Sequence, residues 1–136
     1  MNSESSSPST ALRVIREELE LPESFPAEVE AEATRAAARA SRPENDLTGI
    51  PFITIDPASS TDLDQALHLE RDGDGYRVRY AIADVPAFVE PGGAIDTEAR
   101  LRGQTLYAPD GRIPLHPTVL SEGAASLLEG VDRPAF

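Results

Sequence analysis

The 136-residue sequence contains no cysteine, no lysine and no tryptophan. Without cysteine there is neither a disulfide framework nor a thiolate metal site, a usage that fits a cytoplasmic protein. No apolar run approaches the roughly 18 residues of a membrane span. The opening "MNSESSSPST" also lacks the basic start and apolar core of a secretory signal, so no membrane association is expected. Positive charge is scarce: all 12 basic residues are arginine, set against 24 acids, for a formal net charge of −12. Holding nucleic acid by its phosphates needs a basic face. The balance therefore argues against a free-standing nucleic-acid binder, unless a metal ion or basic residues from elsewhere reverse the local sign.

What is present reads as one globular domain, with 40% hydrophobic and 26% charged residues. Residues 1–10 are Ser-rich and polar, which predicts a mobile tail. Leu12, Ile15 and Leu19 in "ALRVIREELE" have helical spacing. After the proline break "LPESFP", "AEVEAEATRAAARA" is rich in helix formers, with Pro26 suited to its first turn. Residues 1–45 are thus expected to be a disordered tail and a solvated helical leader.

From residue 49 the texture turns to strands. "GIPFITI" reads as a buried strand that ends at Asp56-Pro57. "ALHLERDGDGYRVRYAIADV" reads as a hairpin turning at Asp72–Gly75, with Asp84 after it as a turn or capping residue. "DTEARLRGQTLYA" reads as a helix capped by Asp96 and ending near Gly103. "RIPLHP" carries too much proline for a central strand. "TVLSEGAASLL" reads as mostly helical with Leu120, Leu127 and Leu128 in the core, and "RPAF" as the entry to a further apolar strand. His68 and His116 have no nucleophile or metal partner nearby in sequence and read as structural. The fold class is α+β, a mixed sheet with flanking helices.

The chemistry concentrates in "ITIDPASSTDLDQAL", where Asp56, Asp62 and Asp64 fall within nine residues and Gln65 follows. Oxygen ligands at this density suit a hard cation such as magnesium, which accepts one or two carboxylates, keeps water and bridges to phosphate. Asp62 and Asp64 can point the same way in an extended segment. Asp56 joins them only if "PASST" folds back, which Pro57, Ser59 and Ser60 permit. Loop aspartates that only cap turns and solvate the surface are the competing reading. An EF-hand loop fits poorly, because "DLDQALHLE" lacks the glycine of its sharp turn.

Several ordered blocks, "ITIDPASSTDLDQAL", "YAIADVPAFVEPGGAID", "EARLRGQTLYAPDGRIPLHP", "LSEGAASLL" and "RPA", together resemble the opening third of the RNB catalytic domain of the ribonuclease II and ribonuclease R family. The resemblance covers about residues 46–136 and marks them as a truncated N-terminal part of that domain. It implies processive 3′-to-5′ hydrolysis of single-stranded RNA to nucleoside 5′-monophosphates with magnesium, and no small-molecule organic cofactor. The family pattern is an Asp, five residues, an Asp, one residue, then two adjacent acids. Asp56, Asp62 and Asp64 match as metal ligands, with Asp62 and Asp64 also catalytic. Gln65 breaks the pattern in the fourth, catalytic place, where its carbonyl oxygen can serve as a neutral member. Tyr107 falls where the family stacks an RNA base; without the resemblance it reads as packing at a helix end. Because of Gln65 and the truncation, a non-catalytic RNA-binding or regulatory relative is the alternative. A metal-stabilised domain with no RNA role is the third reading.

Overall fold

Two helices form on the N-terminal side. In the computed structural model, which describes residues 8–39 and 43–136, α1 spans Pro8–Glu18 and α2 spans Ala27–Arg39. The tail expected over residues 1–10 lies outside the described residues as far as residue 7, and α1 takes up the rest. Val14 and Ile15 of α1, and Leu19 just after it, are exposed. α2 corrects the expectation of a solvated leader. Its Val29 and Ala33 are 2% and 0% exposed, and they build the core with Phe88, Ile95, Leu120 and Ala125. An Ala-rich stripe removes little area per residue, but it lets a neighbouring helix approach closely. Burial is what decides its worth.

That neighbour is α3, Ala94–Arg102. Asp96 was expected to cap it, yet the N-cap is Gly93 and the capping carboxylate comes from α2. Glu32 accepts hydrogen bonds from the amides of Ala94 at 2.8 Å and Ile95 at 3.3 Å. These are orphan donors at the positive end of a helix, and a carboxylate is their natural partner. A Cβ at residue 93 would stand 2.6 Å from Glu32 Oε1, so the close approach requires Gly93. Asp96 instead accepts from the Gly92 amide at 2.9 Å and pairs with Arg100. Those two contacts, the amide first, hold its carboxyl below the usual range.

The hairpin forms as its alternation predicts. β1, Gln65–Asp72, pairs antiparallel with β2, Gly75–Ile82, and Asp72 faces Gly75 across a two-residue loop. Gly73 takes φ +60° at the first loop position, the conformation a type II′ turn requires of glycine. Cross-strand partners share a face, so Leu67 and Leu69 stand beside Tyr80 and Val78. A second antiparallel pair, β3 (Leu106–Ala108) and β4 (Gly111–Ile113), sets Tyr107 opposite Arg112. β4 stops before Pro114. The class is α+β, with its described strands in these two antiparallel pairs.

"GIPFITI" is not the buried strand expected. Ile53 exchanges both backbone bonds with Leu67 at 2.9 Å, and the pairing goes no further. Pro51 has no amide proton, and the Phe52 amide is taken by the Ile50 carbonyl, so the ladder cannot extend that way. Ile53 and Ile55 are consequently exposed. The helix expected through Leu128 is shorter too: a π-helical turn covers Leu120–Ala124. It ends because the Leu127 amide turns away to the Leu63 carbonyl at 2.8 Å. Leu120 is buried, whereas Leu127 and Leu128 are half-buried. Residues 134–136 bond along the edge of β2 away from β1, where Ile82 and Phe136 exchange backbone bonds at 3.1 and 2.9 Å.

Asp84 caps the short 3-10 turn Val85–Ala87 through the Ala87 amide. The ring of His68 meets the Pro51 carbonyl at 3.2 Å and the edge of Phe52. His116 is partly buried, and burial lowers its pKa below the usual imidazole range. Among the described residues no helix is long and apolar enough to cross a membrane.

Candidate metal and nucleic-acid site

Where "ITIDPASSTDLDQAL" enters β1, the chain makes a turn. The Ser60 amide bonds the Pro57 carbonyl at 2.8 Å, so the segment folds back as Pro57, Ser59 and Ser60 permit. The result is a cleft of about 310 Å³ lined by Asp56, Asp64 and Gln65, with Ile53, Leu67 and Tyr80 as its apolar and aromatic wall. Asp56 and Asp64 are exposed, and neither has an ion-pair or hydrogen-bond partner on its side chain among the described residues. Gln65 accepts a hydrogen bond from the Tyr80 hydroxyl.

Asp62 does not join them. Its Oδ2 accepts from Arg112 Nη1 at 3.0 Å, and the other arm of that guanidinium pairs with Glu122. Burial works against the charge on Arg112, but Asp62 and Glu122 more than offset it and raise its pKa. Among the described residues no three acidic or imidazole side chains gather as a ready metal site. Two free carboxylates in one cleft are nonetheless what magnesium asks of a protein that leaves water and phosphate in its remaining positions. By donor chemistry, therefore, Asp56 and Asp64 fit the ion.

The loop between these acids is clamped from behind. Ser126, 2% exposed, accepts from the Leu63 amide at 2.9 Å and donates to the Thr61 carbonyl at 2.7 Å. Thr61 donates to Glu122 at 2.8 Å, and the Asp64 carbonyl accepts from the Ala83 amide at 2.9 Å. With residues 61–64 held by these bonds, Asp64 lines the cleft while Asp62 pairs with Arg112. Tyr107 is 73% exposed on β3, so the packing role at a helix end is not what it has. Its strand partner Arg112 ties the Tyr107 hairpin to the acidic loop.

Arg112, Glu122, Ser126 and Tyr80 all lie outside the residues that motif and spacing single out. Arg112 meets Asp62 across 50 positions, and no local pattern announces that. Tyr80 did leave a signal: a two-residue turn at Gly73-Asp74 sets Leu67 against Tyr80, one diagonal step from Gln65.

A family model described as the RNB domain matches residues 44–136. An exoribonuclease 2 from Cronobacter sakazakii is 46% identical over 92 residues, covering 67% of this chain and 14% of that protein. A ribonuclease R from Vibrio cholerae is 39% identical over 119 residues, covering 84% of this chain and 14% of that protein. The chain thus spans about one seventh of the length of these relatives. Among solved structures, Mycoplasma genitalium RNase R in complex with double-stranded RNA superposes with a TM-score of 0.81 at 29% identity, over 94% of this chain and 24% of that one. The same enzyme with ribose-methylated single-stranded RNA gives a TM-score of 0.82 at 28% identity, over 94% and 21%.

Proposed function

The chain belongs to the RNB-domain family, and from that premise we propose that it supplies the metal-holding part of a 3′-to-5′ exoribonuclease that degrades single-stranded RNA to nucleoside 5′-monophosphates. The observation that carries the proposal is the cleft in which Asp56 and Asp64 stand unpaired beside Gln65. Asp56 and Asp64 would hold magnesium, with Asp62 supporting through the loop it anchors on Arg112. Bound magnesium supplies charge neutralisation at the scissile phosphate. It also lets a chain of net charge −12 accept a polyanion, because the cation inverts the local sign. Tyr107, exposed and tied to the acidic loop through Arg112, would stack on a base, and stacking tolerates any base.

A non-catalytic RNA-binding relative is the second reading, favoured by Gln65 standing in the fourth acidic place. Grafting separates the two. Residues 44–136 replace the matching segment of an intact RNB exoribonuclease, and the product is incubated with labelled single-stranded RNA over a range of magnesium concentrations. Magnesium-dependent release of mononucleotides is expected. A graft that binds RNA yet is inert at every magnesium concentration defeats the proposal in favour of the second reading. The 136 residues by themselves are expected to release none, since a misplacement of about 1 Å already costs on the order of 10²-fold in rate. Clean mononucleotide accumulation from the isolated chain would contradict that.

In the same graft, Tyr107→Ala should alter the length of the short end product more than the rate of bond cleavage. Losing one stacked aromatic costs about 1–3 kcal/mol per base, which loosens the grip on the final nucleotides. Terminal fragments of unchanged length would exclude Tyr107 from stacking.

A further inference from the structure

Gln65 stands where the family pattern carries an acid, and its side chain is only half engaged. Oε1 accepts the Tyr80 hydroxyl, while no acceptor reaches Nε2 among the described residues. Both side chains line the cleft with Asp56 and Asp64. The pairing follows from strand register: Gln65 faces Ile82 and Leu67 faces Tyr80, so the Tyr80 ring lies on the Gln65 face one diagonal step away. That separation is within reach of a long aromatic side chain.

An amide is planar, with an acceptor on one arm and two N–H donors on the other. With the phenol on one lone pair of Oε1, the arm of Gln65 left wholly unused is its pair of N–H donors. A hard cation selects oxygen, and an N–H offers it nothing. A phosphate oxygen accepts from an N–H, and side-chain amides commonly contact nucleic-acid phosphates in this way.

We propose that Gln65 is a phosphate-binding residue of this cleft and not a metal ligand, and that Tyr80 is the positioning residue that fixes its amide. The inference rests on the magnesium-site reading above. Its ligand is a non-bridging oxygen of a phosphodiester or of a terminal phosphate. The electrostatics agree, because an acid at residue 65 would put a third negative charge into the cleft beside Asp56 and Asp64. A neutral donor admits the phosphate without that repulsion and adds a bond to it.

The test uses the 136-residue chain, manganese as a spin-active substitute for magnesium, and uridine 5′-monophosphate as the phosphate probe. By electron paramagnetic resonance, Asp64→Asn should weaken manganese binding by about tenfold or more, since losing even a group that only supports a ligand costs about 10–100-fold. Gln65→Leu and Tyr80→Phe should leave it unchanged. With magnesium present, the nucleotide should shift the Gln65 side-chain N–H₂ signals in nitrogen-15 spectra. Both variants should then weaken nucleotide binding about three- to tenfold, the measure of one hydrogen bond. If Gln65→Leu weakens manganese binding as much as Asp64→Asn does, the amide oxygen is a ligand and the proposal is overturned while the metal site stands. Nucleotide affinity unchanged in both variants overturns it equally. Manganese binding indifferent to Asp64→Asn removes the metal site itself, and this inference with it.

Discussion

Asp64→Asn in the grafted enzyme is expected to lower turnover by on the order of 10³-fold while leaving RNA affinity within a few-fold of the parent. Asparagine keeps the size and one oxygen of the side chain but removes the negative charge that a hard cation selects. A metal ion contributes several kcal/mol of charge stabilisation that appears only as the phosphate approaches its transition state. About 4 kcal/mol lost there is a factor of about 10³ in rate. RNA binding should persist because most of the grip comes from stacking and backbone contacts along the strand. Single-turnover rates and filter-binding affinities at saturating magnesium check both halves. Asp62→Asn is expected to cost less, since the Asp62 carboxylate is already committed to Arg112 at 3.0 Å and acts by anchoring the loop. An Asp64→Asn graft turning over within tenfold of the parent would sink the assignment of Asp64 to the metal.

The largest loss of stability is expected from Arg102→Ala in the last turn of α3, where Glu98 stands four residues before it. Its side chain is 2% exposed and donates to Glu98 at 2.8 Å, to the Pro114 carbonyl at 3.1 Å and to the Ser24 carbonyl at 2.7 Å. The guanidinium also stacks on Phe25 with its carbon 3.7 Å from the ring centroid. One side chain therefore joins α3, the segment ahead of α2 and the segment after β4. Removing it leaves Glu98, at 13% exposure, without its partner and strands two carbonyls. Breaking a buried pair from one side costs about 3–5 kcal/mol. That is a large share of what a small domain possesses. Arg102→Lys should recover only part of this, because an ammonium cannot reproduce the planar fork or the stacking. Urea unfolding followed by circular dichroism is the measurement. With slopes of about 1–3 kcal/mol per molar urea, the midpoint should fall by a molar or more. A midpoint unchanged within error would contradict the account.

Local pattern carried a good deal of this. The Asp72–Gly75 turn, the alternation on both sides of it, the Asp84 cap and the end of α3 at Gly103 are all consequences of residue type and near neighbours. Such features depend on backbone conformation over a few residues, which side-chain chemistry biases directly. The errors have a common cause as well. "GIPFITI" has strand-forming residues, but a strand exists only where a partner offers a ladder, and β1 offers one pair of bonds at Ile53. α2 looked solvated because alanine is ambivalent, and its place in the core depends on α3 and Leu120 packing over Val29 and Ala33.

The candidate site divides along the same line. By itself the sequence determined that carboxylates gather before β1, that an amide interrupts them, and that a turn at "PASST" can fold the first back toward the last. Those are properties of adjacent residues. Tertiary structure alone decided that Asp62 leaves the group for Arg112, that Ser126 fastens the loop at Thr61 and Leu63, and that Glu32 caps α3 across 62 positions. Hydrogen bonds and ion pairs between distant segments form only after the core has set those segments side by side. Their energies are a few kcal/mol at most, too small to dictate a fold. They are large enough to turn Asp62 toward Arg112 while Asp64 stays unpaired in the cleft.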